Sequence, residues 1–505
     1  MPLLDLPSTR RAPKLLCVTC AVVWLSAGCT LGPDFKRPQT PQTDRYLPQK
    51  PALTEQSLHA GKDIPSDWWR LFRSAKLRAL IERALANSPD LAAAKATLRQ
   101  TRELMIAQES SLLPALDAAG SVKRQKVSGA LFGNPGGGGS LFTVYNGSLN
   151  LSYTIDVFGG IRRQLESKTA EVEYQRFELE AARLTLVANL VTAAVQEASL
   201  RAQIQATETL IADQRQQLDI LRQQLELGGI AQPALLAQES LLAQTQATLP
   251  PLQRQLEQTR NQLSVLSGQP PGSGLKEEFR LDELDLPRNL PLSLPSKLVE
   301  QRPDVRAQEA LAHSASAQIG VATTKMFPDF TLTASVGTVA TKAGELFMPG
   351  SGIWNTGLNL LQPVFHGGQG IHGRRAAIAA FDAAAAQYKS TVLKAFQNVA
   401  DVLRALEADE AALKAQEAAE RTAEASLNIA RATHQNGAIS YLALLDSERA
   451  YQQSRLGLVQ AQASRYADTA ALFHALGGGW WNRPPEPEKA DTVDRSPFSL
   501  KRLID

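Results

Sequence analysis

The feature that most limits how this 505-residue chain can fold is a long run without proline or glycine, from Arg163 to Leu227. Proline and glycine are the residues that end or weaken helices, so the run predicts one unbroken helix. At 1.5 Å per residue this helix would be about 100 Å long. The run therefore points to one elongated architecture rather than to several ordinary domains.

Apolar residues recur at every seventh position along this run and along three other stretches. This spacing is typical of helices packed against each other as coiled coils. The repeating positions are Ile204, Ile211, Leu218 and Leu225; Leu235, Leu242, Leu249, Leu256 and Leu263; Val392, Val399, Leu406 and Leu413; and Leu445, Val459, Tyr466 and Phe473, with the polar Gln452 at one position of this last set. Pro250 and Pro251 fall inside the second set and predict an interruption with a kink, because proline has no N–H to donate within a helix.

The two halves of the chain resemble each other at an offset of roughly 210 residues. Three blocks recur in the same order: 87–100 with 301–314, 145–160 with 354–368, and 225–239 with 433–447. We infer that the chain arose by internal duplication. Each half begins with a helical pattern, continues with an extended region and ends with long helices.

Alternating residues in the extended regions predict β-strands with one apolar and one polar face. In the first half Leu149, Leu151, Tyr153 and Ile155 alternate with Ser148, Asn150, Ser152 and Thr154. In the second half Phe330, Leu332, Ala334 and Val336 share one face. Partner strands are predicted at 116–127 and near 354–364, so each half carries one hairpin and the chain four strands.

All three cysteines, Cys17, Cys20 and Cys29, lie near the start of the chain. A basic segment and the apolar stretch 15–27 precede Cys29 and form a secretory signal that is too short to span a membrane. Small residues lead into Cys29, although Ser26 stands where leucine is usual. This resembles a bacterial lipoprotein signal, which implies that Cys29 carries diacylglycerol and an N-acyl chain and becomes the mature N-terminus. The alternative is an ordinary signal followed by a chance cysteine.

We therefore expect six segments. They are a signal peptide (1–28), a lipid anchor with an extended or disordered linker (29–64), a first repeat (65–267), a Pro-rich connector (268–295), a second repeat (296–481) and a flexible tail (482–505).

Charge and hydropathy limit the partners and the membrane topology. The chain has 53 basic and 50 acidic residues, a balance that argues against a nucleic-acid partner. After residue 30 no apolar run approaches the about 20 residues of a spanning helix, so any membrane-spanning part must be a β-barrel. Because the smallest such barrels use about eight strands, several chains must each contribute four. The long helix pairs would continue the same tube.

The chain resembles TolC-type outer-membrane efflux channels, in particular the NodT-type lipoprotein branch. The resemblance covers residues 30–481. It rests on Cys29 with "GPDF", on two "PD" helix starts, and on "DWWRLF" (67–72), "IDVFGGIRR" (155–163), "QPVFHGGQG" (362–370) and "LGGGW" (476–480).

The resemblance implies a trimer that forms a 12-stranded transmembrane β-barrel, continued by a periplasmic α-helical coiled-coil barrel. It implies a passive exit duct in the Gram-negative outer membrane, without catalytic activity and without a cofactor other than the lipid on Cys29. Its partners would be two further copies of the chain, outer-membrane lipid, a periplasmic adaptor, and an inner-membrane pump of the resistance-nodulation-division type. Multidrug or small-molecule efflux would be the function.

Two sites follow from the matched positions. The helix reversals at Leu227, Gly228, Gly229 and at Asn436, Gly437, Ala438 would form the periplasmic tip that contacts the adaptor; the alternative is that these are turn residues only. Asp446 matches an acidic residue that lines the closed tip in the family, so it is a candidate pore gate. The alternative is a solvated aspartate near a helix start. No metal site is expected, since His366 and His372 lack carboxylate or cysteine partners.

Other functions stay open at this point. A periplasmic adaptor lipoprotein would also have an anchor and coiled-coil hairpins, but it usually has one hairpin rather than two equivalent halves. A channel of the same type could export polypeptides. A lipid-anchored lytic enzyme would need a nucleophile and a base, and no such constellation stands out.

Overall fold

The computed structural model describes residues 30–484 apart from residues 42, 129, 131, 132 and 134–138. Cys29, its signal segment and the tail from 485 onward lie outside the described residues. In chain order the elements are β1 (Ser57–Ala60), α1 (Ala75–Asn87), α2 (Pro89–Glu109), β2 (Ala115–Val127), β3 (Ser140–Ile155), α3 (Gly160–Glu226), α4 (Gln232–Leu266), β4 (Asn289–Leu292), α5 (Pro295–Gln301), α6 (Pro303–Thr324), β5 (Asp329–Ala340), β6 (Gly352–Leu361), α7 (Gln369–Gln435) and α8 (Tyr441–Ala475).

The chain forms two compact units, and each takes segments from both repeats. We call them the sheet unit (30–40, 94–178 and 306–391) and the helical unit (41–93, 179–305 and 392–484). None of the helices in the described residues is long and apolar enough to cross a membrane.

In the sheet unit, both predicted hairpins are confirmed and join into one antiparallel sheet of order β2-β3-β5-β6. The register places Leu149 opposite Ala118 on one side and Val336 on the other, and Val336 opposite Trp354. The alternation predicted for 148–155 therefore continues across all four strands. It gives the sheet an apolar face and a polar face.

The segment that follows Cys29 is extended, and residues 31–34 are held against the start of α3. The buried guanidinium of Arg163 donates hydrogen bonds to the carbonyl oxygens of Leu31 (3.1 Å) and Gly32 (3.3 Å) and pairs with Asp34 at 2.9 Å. Gly32 has φ +101°, and a Cβ there would lie 2.5 Å from the Cα of Gly320. Only glycine fits this close approach.

In the chain as a whole, the two longest helices, α3 and α7, each have 67 residues, and α4 and α8 each have 35. The unbroken helix predicted from Arg163 onward is confirmed. The heptad positions also pack as expected, because Ile211, Leu218 and Leu242 form a buried cluster with Leu235 and Leu249 against it.

Two further expectations about the elements need correction. The interruption expected at Pro250 and Pro251 is wrong, because α4 continues through both. Proline's fixed φ is compatible with a helix, and the packed apolar stripe of α4 holds the helix together on both sides. Over the described residues, the chain also forms two strands beyond the four predicted. β1 pairs in parallel with β4, with Ser57 opposite Asn289, and such short strands show no alternation to detect.

Candidate functional site

The two predicted helix reversals have the same backbone geometry. After α3, Gly228 has φ +75°, and the N–H of Gly229 donates to the carbonyl oxygen of Gln224 at 2.7 Å. After α7, Gly437 has φ +73°, and the N–H of Ala438 donates to the carbonyl oxygen of Thr433 at 2.9 Å. This bond closes a helix end around a residue in the left-handed region, which glycine adopts without strain. The longest helices of the two duplicated halves therefore end in equivalent turns.

The side chains of the turns lie at the surface. Leu227 is 86% exposed, an unusual position for a leucine, and Asn436 and Ala438 are exposed as well. The helix after the second turn begins at a capped position, since the Ser440 hydroxyl accepts a hydrogen bond from the N–H of Ala443 at 3.3 Å. The turns thus present a small exposed surface that includes the side chains of Leu227, Asn436 and Ala438.

A buried hydrogen-bond chain, which the sequence reasoning missed, connects the two helical hairpins near these turns. The Tyr441 hydroxyl, on α8, donates to Oε1 of Gln238, on α4, at 2.5 Å. The Nε2 of Gln238 donates in turn to the carbonyl oxygen of Gln214 on α3 at 3.2 Å. Gln238 comes three residues after Leu235, so it is a polar residue on an apolar seam. That position is a signal that the sequence did contain.

A second polar link connects three helices of the helical unit. Arg431, on α7, lies 3.8 Å from both Asp213 on α3 and Glu448 on α8. Glu448 is buried. Burial raises the pKa of its carboxyl, the Arg431 guanidinium opposes that shift, and the Asp213 carboxylate adds to it. Polar contacts therefore join the two hairpins, and their strength depends on the exclusion of water from these groups.

Asp446 does not belong to either link. Its side chain is 67% exposed, and its carboxylate lies 3.6 Å from the Arg449 guanidinium one turn later on α8. The neighbouring Leu444 and Leu445 are buried, so Asp446 lies on the face of α8 turned away from its own hairpin seam. In the first repeat, Glu239 is paired with Arg222 at 3.2 Å. The structure leaves the gate role of Asp446 a prediction.

The sheet unit carries the other unusual surface. Large apolar side chains are exposed on the apolar face of all four strands, among them Leu116, Val122, Leu149, Val336, Trp354 and Leu358. Soluble monomers rarely expose a contiguous patch of this kind, so another apolar surface must cover the face. Among the described residues, no group of three His, Cys, Asp or Glu side chains is arranged to hold a metal ion.

Comparison with known proteins gives consistent matches over nearly the whole chain. The family model described as "Outer membrane efflux protein" matches residues 80–269 and 294–478. The toluene efflux pump outer membrane protein TtgF of Pseudomonas putida is 31% identical over 91% of this chain and 96% of its own length. The cation efflux system protein CusC of Escherichia coli O6:H1 is 28% identical over 93% of this chain and 99% of its own length.

A solved structure agrees with these matches. The outer-membrane channel OprN superposes with a TM-score of 0.81 at 27% identity, covering 90% of this chain and all of that chain (100%). The two proteins therefore share one fold.

Proposed function

Because the chain belongs to the outer membrane efflux protein family, we propose that it is the passive outer-membrane exit duct of a tripartite efflux system for small molecules. It resides in the Gram-negative outer membrane, is anchored by lipid on Cys29 and extends into the periplasm. It acts by conducting and not by catalysis, and the driving force comes from an inner-membrane pump coupled through a periplasmic adaptor.

The observation that carries this proposal is the two-sided sheet. From Ile155 to Tyr145, β3 rises about 33 Å. At the strand tilt of about 45° in membrane barrels this is a band about 24 Å tall, which matches the apolar band of outer-membrane barrels. The other face carries Asn150, Ser335 and Asn355 in one register row, as a water-filled lumen requires. A lipid-facing side and a water-facing side are therefore built into the same four strands.

Assembly follows from the edges of the sheet. β2 and β6 each pair on one side only within the described chain. An unpaired edge is not viable in lipid, so the edges must pair with other copies. Three copies supply the twelve strands that the family resemblance implies, and α3, α4, α7 and α8 of each copy continue the duct.

We place adaptor contact at the exposed turns, Leu227–Gly229 and Asn436–Ala438. Their duplication within each chain gives six equivalent tips in a trimer. The exposed Leu227 side chain and the glycine backbone of the turns suit an adaptor whose helices bury apolar surface on binding. The exported compounds of the relatives TtgF and CusC, toluene and cations by their names, belong to those systems. Substrate choice lies with the pump.

Two other functions fit less well. A periplasmic adaptor lipoprotein has no need of a sheet whose exposed face is apolar over all four strands. A channel for type I polypeptide secretion would share the fold, and the efflux names of the relatives TtgF and CusC favour small molecules.

Cysteine labelling in whole cells tests the proposal. Gly350 lies in the exposed β5–β6 connection, and Leu227 follows the last residue of α3, a helix of 67 residues that begins after β3. With a membrane-impermeant maleimide, Gly350→Cys should react in intact cells. Leu227→Cys should react only after the outer membrane is permeabilised, and unmodified protein gives the background. If Gly350→Cys also needed permeabilisation while Leu227→Cys labelled normally, the protein would be periplasmic and the adaptor function would replace the duct.

A further inference from the structure

Basic residues are concentrated at one end of β2. Lys123, Arg124 and Lys126 lie in its last five residues, whereas residues 115–122 contain no basic residue. The register pairs Arg124 with Thr143 and Lys126 with Leu141, so both belong to the apolar face. Lys123 pairs with Val144 and belongs to the polar face. Two positive charges therefore interrupt an otherwise apolar surface.

These two charges are exceptional on that face. Over the described residues of β2, β3, β5 and β6, the apolar face contains no charged residue other than Arg124 and Lys126. Both are exposed, and within the described part of the chain neither takes part in an ion pair. The acidic residues that usually neutralise surface arginine and lysine are absent from their strand rows, so the charges are free to bind an external anion.

Their position relative to the apolar band is equally specific. Val122 and Tyr145 form the last uncharged row, and the rows of Arg124 and Lys126 follow directly beyond it. Charged side chains are destabilising at the middle of a bilayer and tolerated near its surfaces. This end of β2 leads into the connection 128–139, whereas the opposite ends of the strands lead into helices. The pair thus marks the bilayer surface on the side away from the helices.

We propose that Arg124 and Lys126 bind phosphate groups of the phosphorylated glycolipid, lipopolysaccharide, that forms the outer leaflet. This inference rests on the proposed function, because that function puts this end of the strands at the cell exterior. A guanidinium fork matches two phosphate oxygens, and the lysine ammonium adds a second positive charge. The acyl chains would lie on the apolar rows below, which include Val122 and Leu149. The positive charges and the apolar rows are therefore arranged in the same order as the phosphates and the acyl chains of such a lipid.

Lipid retention by the purified protein tests the inference, and Lys123 provides a matched control. Wild type, the double variant Arg124→Gln with Lys126→Gln, and Lys123→Gln would be extracted in mild detergent and washed. Lipid A phosphate bound per trimer would then be measured. Removing both positive charges should reduce retention about thirtyfold, at about 1 kcal/mol for each charge. Lys123→Gln, at the same height on the opposite face, should retain as much as wild type. Lys126→Gln alone should reduce retention about fivefold and serves if the double variant does not assemble.

Three results would overturn the inference: equal retention by all variants, an equal loss in Lys123→Gln, or displacement of the lipid by millimolar inorganic phosphate, which would make the patch a general anion site. Failure of the duct itself would look different. Wild type would then be absent from the outer-membrane fraction and would form no heat-sensitive trimer on gels, whatever lipid it carried.

Discussion

At the scale of single residues, Asp446 is an exposed side chain whose gate role would depend on the three copies present in a trimer. Both Asp446 and Arg449 are exposed in their ion pair, and exposed pairs contribute about 0–1 kcal/mol to the free energy of unfolding. Within one chain the Asp446 carboxylate therefore adds little to stability. In a trimer three copies would approach one axis. Their combined charge would favour cations and oppose anions.

We therefore expect Asp446→Asn to lower the preference for cations over anions of single channels in planar bilayers, and to weaken block by multivalent cations. Asp219→Asn is the control, because Asp219 forms a similarly exposed pair with Arg222 on α3. A reversal potential that does not change in Asp446→Asn, or that changes equally in the control, would remove Asp446 from the gate.

Asp409 is a second informative residue, because its carboxyl on α7 shares a hydrogen bond with the Asp468 carboxyl on α8. Burial and the Asp468 carboxyl raise the pKa of Asp409 to about 7, while the Arg465 guanidinium opposes the shift. Next to it, hydrogen bonds from Thr54 and Lys414 outweigh burial and lower the pKa of Glu410 to about 2. One carboxyl of the aspartate pair therefore keeps a proton well above the usual range.

The sign of the pH dependence follows from that raised pKa. The folded state holds a proton that the unfolded state releases near pH 4. The stabilisation is therefore complete below about pH 4 and is lost as the pH rises to about 7. Asp409→Asn should remove this slope, so its unfolding midpoint in detergent should change less between about pH 4.5 and 7.5 than that of wild type. Asp401→Asn, on the exposed surface of the same helix, should retain the wild-type slope. A wild-type slope in Asp409→Asn would contradict the shared proton.

At the scale of elements, the two helical hairpins are near copies, and their ends are defined by equivalent turns. Helix α3 with α4 and helix α7 with α8 have matching lengths of 67 and 35 residues. The hydrogen bond from Tyr441 to Gln238 helps to hold one hairpin to the other near the turns. The turn and the link can be tested separately.

Tyr441→Phe removes that hydrogen bond and leaves Oε1 of a buried glutamine without a partner, at a cost of about 1–2 kcal/mol. We expect the purified channel to open more often in bilayer recordings. Tyr451→Phe is the control, since Tyr451 lies on the same helix and, among the described residues, its hydroxyl forms no hydrogen bond to the other hairpin. Equal opening frequencies in both variants would show that the link does not restrain the hairpins.

Two neighbouring substitutions distinguish a turn from a docking surface. Gly437→Ala adds strain at φ +73° and costs about 1 kcal/mol, but it adds little bulk. Ala438→Glu adds bulk and charge at an exposed position. If the turn contacts an adaptor, Ala438→Glu should abolish drug export, bringing susceptibility near that of a deletion strain, while trimers and thermal stability stay unchanged. Loss of trimers would instead assign the turn a structural role only.

At the scale of the whole molecule, the chain is incomplete by itself, because its sheet has an uncovered apolar face and two open edges. Lipid and two further copies complete it. The lipid that we propose on Cys29 would be a separate attachment. Leu31 and Asp34, which follow Cys29, are held by the Arg163 side chain without any contribution from a lipid, so we expect the sheet to assemble without the anchor.

Cys29→Ser should therefore remove the acyl mass from the N-terminal peptide, as measured by mass spectrometry, yet still allow heat-sensitive trimers to form in the outer membrane, at reduced yield. Cys20→Ser, within the signal segment, should leave the acyl mass in place. An unlipidated wild-type N-terminus would support the ordinary signal instead. Complete loss of trimers in Cys29→Ser would show that the anchor is needed for assembly.

The sequence by itself determined the long helices, the strand faces and the turn positions, because each depends on residues close together in the chain. A run without proline or glycine specifies helix length, alternation specifies the two faces of β3, and a glycine such as Gly437 ends a helix. The duplication was equally visible, since it compares the chain only with itself. These features also carried the family resemblance, and so the function.

Only the tertiary structure decided which distant polar groups meet. The pairing of β1 with β4, the Arg163 contacts with residues 31–34, the Tyr441–Gln238 link and the Asp409–Asp468 pair all join residues far apart in sequence. Each contact is specified by how helices and strands pack in three dimensions, and although a local pattern marks Gln238 as a polar residue on an apolar seam, no local pattern identifies the partner in any of these contacts. A buried polar group finds its partner through the packing of the whole unit, because outside that packing water satisfies it equally well.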